Sequence, residues 1–263
     1  MPFAPQHPPY LVTPEWLAEH LNQVRALDAR LHENYAESHI PSSLHVDLKA
    51  LRCTKDGVDG MLIEPEAFAA VASSLGIGSD TFVVIYDDYF GQIAARVGWS
   101  LLRYGHTAFA LLDGGWDAWE AAGLPTTSEV QPPIPAEFVP KLTDSPIADL
   151  DWVRAHLNAP GVVLLDTRSP AEYRKGHIPN AVAWNWENAT SFDTMFRPLN
   201  ELREELAGIG VRPDKEIVTY CQSGMRASHT YFLLKQLGFE RVRMYDGSWA
   251  EWSIKEGNSI HAG

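Results

Sequence analysis

The strongest constraint on this 263-residue chain is that it is written twice. Trp16-Leu17-Ala18-Glu19-His20-Leu21-Asn22 returns as Trp152-Val153-Arg154-Ala155-His156-Leu157-Asn158. His39-Ile40-Pro41 returns as His177-Ile178-Pro179, and Asp113-Gly114-Gly115-Trp116 as Asp246-Gly247-Ser248-Trp249. The order never changes, so the chain holds two copies of one domain, and its length suits two. Between the copies lie Pro125, Pro132, Pro133, Pro135, Pro140 and Pro146. Proline at that density cannot hold a helix and reads as an extended linker. The spacing predicts a first domain at residues 8–127, a linker at 128–137 and a second domain at 138–260.

Within each copy short apolar runs alternate with amphipathic stretches. In the second copy the runs are 162–166, 181–184, 216–220 and 241–245, and the helical stretches are 199–206 and 227–237, the latter closed by Gly238. Strand and helix in alternation predict an α/β fold, a parallel sheet with helices on both faces in each copy. Ligands of such sheets bind beyond the C-terminal ends of the strands.

Composition narrows the function classes. The formal charge of −13 opposes binding to nucleic acid or to an anionic membrane. No apolar run is long enough to span a bilayer, and the start, Met1-Pro2-Phe3-Ala4-Pro5, lacks the basic and apolar pattern of a signal peptide. A cytoplasmic location is expected. The ten histidines show no zinc spacing, and nothing calls for a metal or a cofactor. Of the two cysteines, Cys53 has no strand–loop–helix context and reads as a bystander.

Cys221 has that context. It follows the run 216–220, and Cys221-Gln222-Ser223-Gly224-Met225-Arg226 then opens into a helix. Unpaired N–H groups at that helix start can curl into an anion-binding nest. Gly224 permits the curl, and Arg226 adds a positive charge. Together these favour thiolate over thiol, and an exposed thiolate is a nucleophile. At the equivalent point of the first copy, after the run 82–86, stands Asp87. The first copy therefore lacks the thiol nucleophile and is expected to be catalytically inactive.

With these residues in view, the chain resembles the two-domain rhodanese family of thiosulfate and 3-mercaptopyruvate sulfurtransferases. Tyr173-Arg174-Lys175-Gly176-His177-Ile178-Pro179-Asn180-Ala181 resembles one family signature, with Asn180 replacing a glycine. The run from Val242 to Trp252, with Asp246-Gly247-Ser248-Trp249 at its centre, resembles the other. The resemblance implies a five-stranded parallel sheet present twice, with catalysis in the second domain alone. It implies a double displacement in which Cys221 takes sulfur from a small-molecule donor as a persulfide. Loop residues Gln222, Ser223, Gly224, Met225 and Arg226 hold that sulfur, and a thiophilic acceptor (cyanide, a thiol or a protein) removes it. Phosphatases of the same fold carry five residues between cysteine and arginine. This loop carries four, a tighter ring suited to one sulfur atom.

Uncharged Gln222 and Ser223 depart from thiosulfate enzymes of the family, and Ser223 resembles the mercaptopyruvate group, in which a first-domain histidine supports that serine. His39 is the matching candidate, although His177 at the same place in the other repeat favours a structural role for both. Glu172 stands where both groups place a substrate arginine. That leaves Arg226 as the main cation beside Cys221, either for the donor or for a structural salt bridge. Thiosulfate is the expected donor and mercaptopyruvate the alternative. A sulfur relay serving a protein partner is the reading from another class.

Overall fold

A computed structural model describes residues 10–255 and 257–262. The expected domain start at residue 8 lies outside them. Two compact units are present. The first comprises residues up to Arg52, Leu62–Thr143 and Ser191–Met195; the second comprises Cys53–Met61, Asp144–Thr190 and the residues from Phe196 onward.

In the first repeat the chain runs β1 (Leu11–Val12), α1 (Pro14–His20), β2 (Arg25–Asp28), α2 (His32–Glu37) and β3 (Leu44–His45). A hairpin of β4 (Arg52–Lys55) and β5 (Val58–Leu62) follows, then α3 (Pro65–Ser74), β6 (Val83–Tyr86), α4 (Gln92–Arg103), β7 (Phe109–Leu112) and α5 (Gly115–Ala121). The hairpin turns at Asp56 and Gly57, both at positive φ (51° and 78°), as two-residue hairpin turns require. The second repeat runs β8 (Ile147–Ala148), α6 (Leu150–His156), β9 (Val162–Asp166), α7 (Pro170–Lys175) and β10 (Val182–Ala183). It continues with α8 (Leu199–Gly208), β11 (Glu216–Tyr220), α9 (Met225–Gln236), β12 (Val242–Tyr245) and α10 (Ser248–Trp252).

The two five-stranded sheets are wholly parallel and ordered alike, β1-β7-β6-β2-β3 and β8-β12-β11-β9-β10. Their apolar strands are buried because helices cover the sheets, as parallel pairing demands. The repeat extends to the caps. Thr13 Oγ1 receives the Trp16 N–H (3.3 Å) at the start of α1, and Asp149 Oδ1 receives the Trp152 N–H (2.8 Å) at the start of α6. Such caps contribute about 1 kcal/mol each. Core tryptophans repeat too, with Trp119 and Trp252 at 0% and 1% exposure.

The proline-rich stretch is a strap on the first unit. Ala136 N–H binds Ser73 O (3.0 Å), Lys141 N–H binds Tyr104 O (2.9 Å), and Phe138 is buried against Phe68. The chain passes from the first unit to the second between Thr143 and Asp144. Composition marked the stretch as non-helical but did not show which side Phe138 would anchor.

Candidate active site

Strand β11 occupies the centre of its sheet, paired with β9 on one side and β12 on the other. Its last four residues are buried, and Cys221 comes directly after them. The loop then closes on Gly224, whose φ of 82° begins α9; with a Cβ that conformation is unfavourable. Gln222 is exposed, Ser223, Met225 and Arg226 are half-buried, and Gly224 is buried.

The structure corrects one expectation at this point. Cys221 is 1% exposed rather than open to solvent. The cause is its place at the end of a central strand, where the neighbouring loop closes over it. That loop follows β12 and runs into the first turn of α10. Trp249 N–H binds Cys221 O (3.0 Å) and Ala250 N–H binds Gln222 O (2.9 Å). The Cys221 N–H is accepted by Ser248 Oγ (3.2 Å), which itself donates to Tyr245 O (2.8 Å).

Arg226 lies on the first turn of α9, is bound to Glu172, and is within electrostatic reach of Cys221. Its two terminal nitrogens bind the Glu172 oxygens at 2.7 and 2.9 Å, a bidentate pair. Burial alone would lower the arginine's pKa; the bonds to Glu172 and the field of Cys221 outweigh it, and the net shift is upward. The Arg226 hydrogen bond holds Glu172 down to about 2, against opposing burial and with help from Ser169. Ser169 and Glu172 also form a capping box at the start of α7. Glu172 therefore fixes the cation within reach of Cys221 instead of leaving a gap where an arginine was expected. Of the two roles open to Arg226, the salt bridge is present. Arg197 is taken up by Glu201 and Glu205.

Arg168 is likewise committed. It binds Asp166 through Nε and a terminal nitrogen (2.6–3.1 Å) and lies over the Trp249 ring at 4.5 Å. Arg30 repeats this with Asp28 and with Trp116 at 3.8 Å, so the Asp-x-Arg motif is a buried structural pair in both units. His39 is fully buried in the first unit. Its Nδ1 lies 2.8 Å from Tyr35 O and its Nε2 3.3 Å from Glu129 O, and its ring stacks on Tyr35. His177 repeats the contact with Tyr173 O at 3.0 Å. The support role suggested for His39 gives way to this packing role, because both ring nitrogens already face backbone carbonyls.

The equivalent loop of the first unit is built around Asp87, 1% exposed. Its carboxylate accepts four backbone N–H groups: Tyr89 and Gly91 on one oxygen (2.9 and 2.8 Å), Ile93 and Ala94 on the other (2.7 and 2.8 Å). Burial pushes its pKa up and these N–H groups pull it down. In the first repeat the nest is present and is filled by its own side chain. Among the described residues no cluster of His, Cys, Asp and Glu could hold a metal ion, and no helix is long and apolar enough to cross a membrane.

A family model for the rhodanese-like domain matches residues 13–122 and again residues 149–255. The chain belongs to the rhodanese family. It is 35% identical to a thiosulfate sulfurtransferase of Azotobacter vinelandii, over 83% of each chain. It is also 35% identical to a sulfur carrier protein of Thermus thermophilus, over 98% of each. Among solved structures it is similar in fold to the anaerobic ergothioneine biosynthesis enzyme of Chlorobium limicola, crystallised with trimethyl histidine. That likeness has a TM-score of 0.89 at 24% identity and covers 96% of this chain and 70% of the other. The tandem rhodanese architecture read from the repeats is thus present.

Glu172 and Ser248 carried no role in the reading of the sequence. For Ser248 a signal existed: the other repeat has Gly115 at the same place.

Proposed function

We propose that this rhodanese-family sulfurtransferase takes a sulfane sulfur from thiosulfate onto Cys221 and passes it to a thiophilic acceptor, cyanide or a thiol. One observation carries the reading. A thiol follows the central strand of the second unit with Arg226 within electrostatic reach, while the same point of the first unit is a carboxylate already committed to four N–H groups.

In the first step the Cys221 thiolate attacks the outer sulfur of thiosulfate. The S–S bond of the donor breaks, sulfite leaves with the electron pair, and Cys221 becomes a persulfide. In the second step cyanide attacks the terminal sulfur, thiocyanate leaves, and the thiolate returns. Charge and atoms balance with no outside oxidant. Residues Gln222 to Arg226 are read as the cradle of the terminal sulfur, and Arg226 as the group that steadies negative charge in both steps. Arg226 arrives already paired with Glu172, so it offers a dianionic donor less than a full charge. Thiosulfate is preferred to mercaptopyruvate because several relatives at 30–35% identity are named for it. The first unit is read as scaffold and the location as cytoplasmic.

A second reading is a relay that loads sulfur and yields it only to a protein. It is favoured by the similarity to the Thermus sulfur carrier protein. Intact-mass measurement after incubation with thiosulfate, and separately with mercaptopyruvate, tests both. The proposal expects a gain of one sulfur atom from thiosulfate, removed by cyanide and absent in Cys221→Ser. Loading that cyanide and small thiols leave in place would favour the relay, and faster loading from mercaptopyruvate would reassign the donor. Loading that survives in Cys221→Ser would overturn the mechanism.

A further inference from the structure

We propose that Ser248 is a positioning residue for Cys221, an inference that rests on the sulfur-transfer reading of the same site. Ser248 is fully buried, and its φ is +52°, a region that residues with a Cβ rarely occupy. Strain of this kind persists only where the surroundings fix it, and it gathers at functional sites. Here the surroundings are the nucleophile's own backbone. Ser248 Oγ accepts the Cys221 N–H at 3.2 Å and is oriented by its donation to Tyr245 O at 2.8 Å. Trp249 N–H holds Cys221 O at 3.0 Å, and Ala250 N–H holds Gln222 O at 2.9 Å. Three consecutive residues thus hold the peptide groups on both sides of the cysteine.

The first unit supplies an internal control. Gly115 stands where Ser248 stands, at φ +59°. Trp116 N–H binds Asp87 O at 2.8 Å, repeating the Trp249–Cys221 contact. The carbonyl tie is therefore common to both repeats, whereas a glycine has no hydroxyl to offer the amide of Asp87. A Cβ on Gly115 would lie 2.3 Å from Asp87 O. In the second unit the loop stands back far enough to admit a serine side chain. The repeat that keeps the nucleophile is the one that adds the second tie, at the cost of an unfavourable φ.

The physical reason lies in the geometry of the thiol. A buried N–H must have an acceptor, and holding the Cys221 N–H fixes the direction of its Cα–Cβ bond. The sulfur then stays within reach of Arg226 through both transfer steps. Ser248 makes and breaks no bond itself.

Two substitutions in the full chain separate hydroxyl from strain. Ser248→Ala removes the hydroxyl and keeps the strained φ. Ser248→Gly removes both, and it places the residue of the other repeat at this position, which keeps the test usable if the alanine variant folds poorly. Both are expected to lower kcat for thiosulfate-to-cyanide transfer about tenfold, as loss of one well-placed hydrogen bond does, with KM within about twofold of wild type. Both are expected to move the midpoint of the pH profile of Cys221 alkylation by iodoacetamide to higher pH. Ser248→Gly should melt no lower than Ser248→Ala. A glycine variant with wild-type kcat and a wild-type alkylation profile would overturn the proposal. So would lowered melting in both variants with the alkylation profile unmoved. If the wild type fails to load sulfur at all, the sulfur-transfer reading falls, and the alkylation profiles still decide what Ser248 does to the thiol.

Discussion

Asp87→Asn changes little in shape and much in the first unit's loop. The Asp87 carboxylate accepts two N–H groups on each oxygen. An amide keeps one acceptor oxygen and turns its own NH2 toward the other two donors. At 1% exposure solvent cannot take the place of the lost acceptor. Each buried N–H left without a partner costs about 1–3 kcal/mol, and donor facing donor adds to that, so the variant should lose about 4 kcal/mol. At about 2–4 °C per kcal/mol for a chain of this size, the affected transition should fall by about 10 °C. Differential scanning calorimetry of the full chain reads this directly. Asp87→Ala adds a second arm, because it removes the carboxylate and leaves its place open. Formate is a free carboxylate that fits the vacated donors, so it should raise the melting temperature of Asp87→Ala well above an equal concentration of chloride, and leave the wild type unmoved. An Asn variant that melts within about 2 °C of wild type, or formate that acts alike on variant and wild type, would refute the account of Asp87 as the ligand of its own nest.

Two further outcomes follow from the same contacts. The depressed Glu172 contributes stability that is fully present above its ordinary pKa of 4.5 and is lost as pH falls toward about 2. Wild type and Glu172→Gln should therefore converge in stability across that window in acid titrations. Glu172 is one-third exposed, so solvent screening reduces the difference at neutral pH to about 1–2 kcal/mol. Gly115→Ala should cost the first unit more than about 2 kcal/mol by urea unfolding, since the positive φ and the close Asp87 carbonyl both oppose a side chain.

Much of this site was legible in the residues. The order of the repeats fixed the tandem architecture, and the run ending at Tyr220 placed Cys221 at a strand end, because β-strand burial leaves a continuous apolar signature. The Glu172–Arg226 pair was not legible in the same way. The two residues lie 54 positions apart, and they meet because β9 and β11 pair in register, Asp166 beside Tyr220. That brings the loop after one strand against the loop after the other, a consequence of strand order that no local pattern states. The burial of Cys221 depends on the loop after β12 in the same way. The β4–β5 hairpin was missed for another reason. Asp56-Gly57 is a strong turn signal, but Arg52-Cys53-Thr54-Lys55 shows no apolar alternation to accompany it. Two of those residues are exposed, and none is buried.

The composition of the two units bears on how such a chain can be handled. The first counts Ser191–Met195 among its residues, and the second counts Cys53–Met61. A gene cut in the proline-rich strap would therefore give two products, each lacking a part of its own body that the other product carries. Expressed singly, neither fragment is the intact rhodanese unit its sequence boundary suggests; mixed, the pair holds every missing part. Split-protein complementation, with activity returning only on mixing, is the outcome expected of a chain divided there.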